Sequence, residues 1–265
     1  MSALPIRIEG VDKVFGSAGG DVVALRDINL EIPAGQFTCL LGPSGCGKST
    51  LLNAVAGFAL PTRGSIRTVD REVRGPGPDR GMVFQEYALF PWMTVEQNIA
   101  FGLEIKGIGK AAIGATVGAL LEMLSLSDFR QRYPKDLSGG MRQRVAIARV
   151  LALDSPIMLM DEPFGALDAL TRRNLQDELL RIWAATGKTI IFVTHSIEEA
   201  IYLADRIVVM TYRPGTVKRD VMVELPRLRD PAAPEFNALK RELGQLVMEE
   251  QQRHHNDELR MAAID

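Results

Sequence analysis

Hydrophobic and polar positions alternate with a period of two near the start of the chain, which predicts strands with one buried face. Ile6 and Ile8 alternate with polar residues, and so do Ile28, Leu30 and Ile32. Segments 64–73 and 82–85 are also predicted to be β-structure, and a glycine- and proline-rich turn lies between them. The first third of the chain is therefore predicted to be rich in β-structure.

From about residue 94 to 153 the pattern changes to the period of an α-helix. Thr94 is the predicted N-cap of the first helical segment, with Glu96 and Gln97 in its first turn. Farther on, uninterrupted apolar runs alternate with amphipathic stretches, and such runs are typical of parallel strands buried on both faces. We therefore predict an α/β fold in which helices interrupt a parallel sheet.

The last segment, residues 226–265, has apolar positions spaced by 3, 4 and 3 residues. This spacing predicts a surface helix packed on the body through Phe236, Leu239, Leu243 and Leu246. Residues 249–258 are polar and are predicted to fray. The pair His254–His255 could bind a metal, but a solvated tail is the favoured interpretation.

Composition argues against several classes of function. The 31 basic and 33 acidic residues give a net charge of −2, so nucleic acid is not an expected partner. Neither Cys39 nor Cys46 is placed for a disulfide, which indicates a reducing cytosol. The sequence has no run of about 18 apolar residues and no signal-peptide pattern at its start. We predict a soluble cytoplasmic chain that reaches a membrane only through a partner.

The segment GPSGCGKST fits the phosphate-binding pattern G-x-x-x-x-G-K-[ST], between an apolar strand and a helix. Its glycines let successive N–H groups surround a phosphate, Lys48 neutralises the β and γ oxygens, and the Ser49 hydroxyl ligates Mg²⁺. A glycine-rich turn that matches by chance is the alternative. The predicted nucleotide contacts are Gly42, Pro43, Ser44, Gly45, Cys46, Gly47, Lys48, Ser49 and Thr50.

Polar residues at three predicted strand ends suit the chemistry of the same site. Asp161 would hold Mg²⁺ through water, and Glu162 would orient and deprotonate the attacking water. His195 could hydrogen-bond the γ-phosphate and that water, and Gln85 could reach Mg²⁺ or the water. A charged pair that simply ends a strand and a structural histidine are the alternatives.

The stretch LSGGMRQR provides a second phosphate-type corner, because Ser138, Gly139 and Gly140 precede a predicted helix. One chain cannot easily bring both corners onto one nucleotide. Two copies arranged head to tail could do so, with a two-fold axis generating two identical sites. The alternative is an ordinary N-cap followed by a glycine turn.

These motifs together resemble the ATP-binding-cassette (ABC) ATPases. GPSGCGKST, Gln85, LSGGMRQR, IMLMDEP, GALD and His195 occur in the order and spacing of that family, over roughly residues 4–225. The resemblance implies an α/β P-loop NTPase (RecA-like) core with an antiparallel β subdomain and an inserted α-helical subdomain. It places the core and β subdomain at about 1–86 and 155–225, the helical subdomain at about 87–154, and the C-terminal helical tail at 226–265.

The same resemblance implies roles for further residues. Phe15 would stack on adenine, and the segment from Ser138 to Gln143 would meet the γ-phosphate held by the partner copy. Asp168 would link the two sites of a homodimer that holds two ATP, with Mg²⁺, at its interface.

A cluster of apolar residues follows Gln85 and could dock an integral-membrane permease. The cluster consists of Tyr87, Leu89, Phe90, Trp92 and Met93. The alternative is that these side chains form the core of the helical subdomain.

Three segments, FPWMTVEQNIAFGLE, DEPFGALDALTR and VMVELPRLRD, are similar to ATPase subunits of bacterial importers for nitrate, alkanesulfonates and taurine. The similarity implies hydrolysis of ATP to ADP and phosphate on the inner face of the cell membrane. It also implies a separate permease and an external solute-binding protein, with sulfonate, taurine or nitrate as the solute. The alternative is a soluble or lipid-handling ABC ATPase that is not coupled to import.

Overall fold

The computed structural model describes residues 6–16 and 20–262, with side chains through residue 257. In chain order its elements are β1 (Ile6–Phe15), β2 (Val22–Ile32), β3 (Phe37–Leu41), α1 (Lys48–Ala56), β4 (Arg63–Thr68), β5 (Arg71–Glu72), β6 (Arg80–Val83), α2 (Val95–Ile105), α3 (Lys110–Met123), α4 (Gly139–Ala152), β7 (Ile157–Asp161), α5 (Ala169–Thr186), β8 (Thr189–Thr194), α6 (Ile197–Leu203), β9 (Arg206–Met210), β10 (Val217–Met222) and α7 (Pro234–Ala262). They form two compact units. The second unit is residues 78–188, and the first contains the described residues on either side of it.

The first unit contains an antiparallel sheet with the strand order β2-β1-β4-β5. In this sheet Ile8 of β1 is paired with Leu30 on one side and with Ile66 on the other. Ile6 and Ile8 are buried while Arg7 between them is exposed. The alternating pattern therefore forms the one-sided strands that it predicts.

The first unit also contains the strands β10-β9-β3-β8 in that order. β3 runs parallel to β8 and β9, whereas β10 is antiparallel to β9. Every residue of β3 and of β8 is buried, because α1 and α6 pack on these strands and cover them. Continuous burial explains why both strands are apolar runs without alternation.

The second unit combines a parallel pair, β6 and β7, with helices α2, α3 and α4, which pack against one another. Thr94 caps α2, since its side chain accepts a hydrogen bond from the Gln97 amide and the Gln97 side chain accepts one from the Thr94 amide. This reciprocal arrangement is a capping box. It confirms the predicted start of the helix.

The fold is the predicted α/β type, with an antiparallel sheet beside parallel strands and helices. The boundaries of the two compact units differ from the expected subdomain boundaries, so that division remains a prediction. Among the described helices, none combines the length and the apolar character needed to cross a bilayer.

The predicted fraying of residues 249–258 is wrong, because α7 continues as a helix through this segment. The carboxylates of Glu249 and Glu250 accept hydrogen bonds from the Lys218 ammonium at 2.6 and 2.7 Å. These contacts to β10 hold a stretch that lacks apolar residues of its own. The last three residues of the predicted tail lie outside the described residues.

Candidate functional site

The glycine-rich segment 42–47 leaves the carboxyl end of β3 and leads directly into α1. Gly47 is the N-cap of α1 and has φ +97°, which an L side chain rarely adopts. A Cβ at Gly42 would lie 2.8 Å from the Cys46 Sγ, and one at Gly47 would lie 2.7 Å from the Leu25 Cδ2. The glycines are therefore required by close packing as well as by the backbone conformation.

The first turn of α1 presents its amide groups without competition from side chains. Gly47 offers no side chain to accept from them, and the residues that follow, Lys48, Ser49 and Thr50, include no acid. The unsatisfied N–H groups of a helix start carry partial positive charge and bind anions. A glycine cradle of this kind fits a phosphate group.

Lys48 is buried, with only 4% of its surface exposed. Its ammonium donates to the carbonyl oxygens of Gly42 and Pro43 at 2.8 and 2.9 Å, and it lies 3.8 Å from the Cys46 Sγ. Burial raises the pKa of the Cys46 thiol, although the neighbouring Lys48 lowers it. The ammonium is thus held over the loop mainly by carbonyl dipoles.

His195 belongs to the same edge of the first unit as the cradle. Leu41 at the end of β3 pairs with Thr194 at the end of β8, so the glycine-rich segment and His195 leave neighbouring parallel strands at the same end. His195 is exposed. Ser196 follows it and caps α6, with its hydroxyl accepting from the Glu199 amide at 3.3 Å.

Phe15 is the last residue of β1 in the first unit. Its side chain is 44% exposed, and the Lys13 ammonium lies 5.0 Å from the centre of its ring. An exposed aromatic face beside a cation is available for stacking on a planar base.

In the second unit the parallel pairing brings Gln85, Asp161 and Glu162 to one edge. Val83 of β6 pairs with Met160 of β7, and the three polar residues lie one or two positions after this pair. Gln85 is exposed, whereas Asp161 and Glu162 are half-buried. The carboxyl ends of parallel strands are where open α/β sheets bind ligands.

Glu162 has φ +41°, in the left-handed region that residues with a side chain seldom occupy. Such a conformation costs about 1–3 kcal/mol and persists only where the surroundings impose it. The Gly165 amide donates to the Glu162 carbonyl at 3.2 Å, and the neighbouring Phe164 is completely buried. The turn after β7 therefore holds this carboxylate in a fixed, strained backbone geometry.

The segment that begins at Ser138 forms the start of α4. The Ser138 hydroxyl caps the helix by accepting from the Met141 amide at 3.3 Å. A Cβ at Gly140 would lie 2.6 Å from the Thr171 Cγ2, and one at Gly139 would lie 3.3 Å from the Tyr87 hydroxyl. The two glycines let α5 and the segment after β6 approach this helix start.

Gln143 is completely buried on α4, unlike the exposed Ser138. Its amide nitrogen and oxygen have no hydrogen-bond partner among the described residues. In this conformation Gln143 has no surface with which to contact a second copy.

Asp168 is the N-cap of α5, and its carboxylate accepts from the Thr171 amide at 3.0 Å. This hydrogen bond lowers the pKa of Asp168. The side chain is exposed at the corner between the turn after β7 and α5.

The apolar cluster after Gln85 divides into buried and exposed members. Phe90 packs against Phe101 with ring centres 4.5 Å apart, whereas Trp92 is 69% exposed. The fully buried Asn98 fixes this loop by donating to the carbonyls of Phe90, Met93 and Thr94 and by accepting from the Phe90 amide. The loop therefore presents Trp92 on a rigid support.

The sequence analysis missed two arginines that hold these segments. In the second unit Arg149 of α4 donates to the Ala88 carbonyl at 2.8 Å and lies 5.4 Å from the Phe90 ring centre, and burial lowers its pKa. In the first unit the Arg213 Nε donates to the Gly45 carbonyl at 3.3 Å. The Arg-Pro-Gly stretch that starts at 213 signals a turn, but no local pattern reveals which segment that turn touches.

Comparisons with known proteins agree with this geometry. Residues 25–165 match the family model described as ABC transporter. The chain is 52% identical to a taurine import ATP-binding protein of Jannaschia sp., over 76% of this chain and 75% of that protein. It is 48% identical to a nitrate import ATP-binding protein of Synechocystis sp., over 83% of each. It is 46% identical to an aliphatic sulfonates import ATP-binding protein of Bacillus licheniformis, over 91% of this chain and 92% of that one.

The fold of this chain is also similar to that of a solved structure. A dimeric ATP-binding cassette in a post-hydrolysis state with ADP and Pi matches 83% of this chain and all of its own, with a TM-score of 0.74 and 32% identity. The glycine cradle at the start of α1, the acidic turn after β7 and the capped start of α4 thus occur in a chain that belongs to the ABC transporter family.

Proposed function

We propose that this chain is the ATP-hydrolysing subunit of an importer for a small oxyanion-bearing solute, such as a sulfonate, taurine or nitrate. One observation carries the proposal: the chain is 46–52% identical, over most of its length, to proteins named for the import of nitrate, taurine and aliphatic sulfonates. The chemical step is the hydrolysis of ATP to ADP and phosphate, the activity of its family.

In this proposal the segment 42–50 binds the phosphates of ATP. The open first turn of α1 donates amide hydrogen bonds, and Lys48 exchanges the carbonyls of Gly42 and Pro43 for phosphate oxygens. An anion is a stronger partner for a buried ammonium than a carbonyl dipole, so this exchange favours the bound state. Phe15 stacks on the adenine, as its exposed ring allows.

Glu162 is the proposed general base, which takes a proton from the water that attacks the γ-phosphorus as the bond to ADP breaks. Its fixed backbone supports that role, because general bases must be held within hydrogen-bond reach of their proton. His195 orients the same water or the γ-phosphate. Ser49, Gln85 and Asp161 offer hydroxyl, amide and carboxylate oxygens, the donor set that suits Mg²⁺, which when bound would neutralise phosphate charge.

Two copies are proposed to close head to tail on two ATP. The start of α4 then meets the γ-phosphate held by the other copy, through the Ser138 hydroxyl and the amides of Gly139 and Gly140. Asp168 lies on the proposed dimer face. The dimeric state of a related cassette with ADP and Pi supports this arrangement.

The closing dimer would move a separate permease through the loop 87–93. Trp92 is the proposed anchor, because an exposed tryptophan on a loop fixed by Asn98 has the character of a binding hot spot. An external binding protein would deliver the solute to that permease. In this proposal the chain lies on the inner face of the cell membrane, bound to the permease.

The proposal is tested with Glu162→Gln, compared with Glu122→Gln at an exposed position of α3. We expect Glu162→Gln to bind ATP normally, to lose roughly 100-fold or more in turnover and to accumulate as an ATP-bound dimer. The control variant should behave as the parent protein. Normal turnover by Glu162→Gln would refute its role as the base.

Affinity purification of tagged Glu162→Gln from solubilised native membranes tests the coupling to import. A polytopic permease in about equal amount is the expected partner. Recovery of only soluble proteins, with no membrane chain, would refute the importer assignment and leave the ATPase assignment intact. Trp92→Ala should reduce the recovered permease, whereas Ile105→Ala, at another exposed apolar position, should not.

A further inference from the structure

The first unit contains a cavity that is not used in the proposed hydrolysis. A cleft of about 460 Å³ lies between the turn 211–216, which joins β9 to β10, and one face of α7. Its lining includes Tyr212, Arg213, Thr216, Arg253, Asn256 and Asp257. This volume lies within the usual range for small-molecule sites. We call it the Arg213–Arg253 cleft.

The walls of this cleft are fixed by a buried carboxylate. Glu250 is completely buried, and it accepts from the Tyr212 amide at 2.9 Å and from the Lys218 ammonium at 2.7 Å. The Tyr212 ring packs edge-on against His254, with ring centres 4.3 Å apart. A cleft built on such contacts is preorganised, which lowers the entropic cost of binding a ligand.

The charges in the cleft indicate the chemistry of its ligand. Arg213 from the turn and Arg253 from α7 both line it, while Asp257 contributes one carboxylate. Arg253 is also within 3.3 Å of Glu250, but its side chain remains 67% exposed. Guanidinium groups bind planar and tetrahedral oxyanions with paired hydrogen bonds. Two guanidinium groups and one carboxylate in the same lining suit a small zwitterion with an oxyanion at one end and an ammonium at the other.

The turn that lines this cleft also touches the glycine cradle. Arg213 donates to the Gly45 carbonyl, and a Cβ on Gly215 would lie only 2.3 Å from the Cys46 carbonyl oxygen. The Gly215 amide is bonded to the Ala24 carbonyl at 2.9 Å, which fixes the turn from its other side. A ligand that moves the Arg213 side chain therefore acts on the cradle directly.

We propose that the Arg213–Arg253 cleft is a regulatory site for a small oxyanion-bearing molecule of the imported class, with an aminosulfonate as the best chemical match. Its oxyanion draws the Arg213 guanidinium away from the Gly45 carbonyl, so the cradle loses a contact and binds ATP less tightly. Accumulated solute then slows its own import. The choice of an imported solute rests on the proposed function, whereas the oxyanion site rests on the cleft alone.

The test measures binding of taurine to the full chain by calorimetry and its effect on ATP hydrolysis. We expect taurine to raise the KM for ATP about fivefold, at the low end of couplings between sites. Arg253→Gln should bind taurine at least about tenfold more weakly, as expected when a charge-assisted contact is lost. Its hydrolysis without taurine should be unchanged. Arg241→Gln, at an exposed position of the same helix, is the matched control and should respond as the parent protein.

Two further binding measurements test which groups of the ligand the cleft recognises. Ethanesulfonate lacks the ammonium and should bind more weakly than taurine, and Asp257→Asn should remove that difference. Arg253→Lys keeps a charge beside Glu250 but loses the planar fork, so it should weaken taurine binding while preserving the fold. This variant serves if Arg253→Gln is unstable.

Three results would overturn the proposal: no binding of taurine, nitrate or sulfate to the chain; taurine binding that is unaffected by either Arg253 variant; or complete exclusion of taurine by saturating ATP, beyond the roughly fivefold weakening that the proposed coupling itself requires. The last result would assign the cleft to the nucleotide site. Binding to the isolated chain reports on the cleft, whereas recovery of a permease reports on import, so either inference can fail without the other.

Discussion

Two helices of this chain start in glycine-rich segments, α1 and α4, and they differ in what covers their first turns. At α1 the N-cap is Gly47, and a buried lysine lies over the loop. At α4 the N-cap is Ser138, whose hydroxyl already accepts from the Met141 amide. The first helix start has no side-chain cap and lies beside a full positive charge, whereas at the second one amide is already bonded to the capping serine.

An uncapped helix start and a capped one suit different kinds of phosphate contact. A cradle with a buried cation binds a nucleotide without help from another chain. A capped helix start offers a hydroxyl and a few amides, which is too little for independent binding. In the proposed dimer it would meet a phosphate that another copy already holds.

The largest effect is expected from replacing Lys48, which tests whether the segment at the start of α1 binds ATP. Lys48→Ala should weaken ATP binding roughly 10- to 150-fold, because a charge-assisted hydrogen bond contributes about 1.5–3 kcal/mol. Fluorescence titration with a labelled ATP analogue measures this affinity. Lys106→Ala, at an exposed position after α2, is the control and should bind normally. Unchanged affinity in Lys48→Ala would disprove the cradle assignment.

Ser138→Asp tests the start of α4, where the proposed role is contact with a phosphate held by a second copy. Aspartate is as good an N-cap as serine, so α4 should stay intact, but the added charge would repel a phosphate held by the partner. We expect ATP affinity of the single chain to change by less than about twofold and hydrolysis to fall about tenfold. Ser138→Thr keeps the cap without the charge and should retain activity. Equal hydrolysis by Ser138→Asp would exclude this role.

A smaller effect is expected from Gly140→Ala, which tests why α4 begins with glycines. Its Cβ would lie 2.6 Å from the Thr171 Cγ2, and crowding of this kind costs about 1–3 kcal/mol of unfolding free energy. Gly114→Ala is the matched control, since its Cβ would meet open space on α3 and should stabilise by roughly 0.5–1 kcal/mol. Chemical denaturation measures both. If the two variants were equally stable, close packing would not be the reason for Gly140.

The sequence predicts the starts of α1 and α2 correctly. The strand, glycine loop and helix around 42–50 and the cap at Thr94 are encoded within a few residues, so pattern and propensity suffice. The strands that precede Glu162 and His195 also stand out in the sequence as uninterrupted apolar runs.

Contacts between residues far apart in the chain could not be predicted in this way. The helical path of 249–258 depends on contacts with Tyr212 and Lys218, more than 30 residues earlier in the chain, and nothing in the polar sequence of that stretch indicates them. The complete burial of Gln143 and the bond from Arg213 to Gly45 also arise only when distant elements pack. Such features depend on tertiary structure that overrides local preference.

Helix α4 connects Ser138 to Arg149 as a single stiff element. Ser138 caps one end of the helix. Near the other end Arg149 donates a hydrogen bond to the Ala88 carbonyl of the loop that displays Trp92. At roughly 1.5 Å per residue, the intervening turns form a rod of about 15 Å. In the proposed dimer a displacement of Ser138 would reach the loop that displays Trp92 with little loss, because a hydrogen-bonded helix resists stretching. Under the proposed coupling, the stiffness of α4 would set how much of a motion at the phosphate reaches the membrane partner.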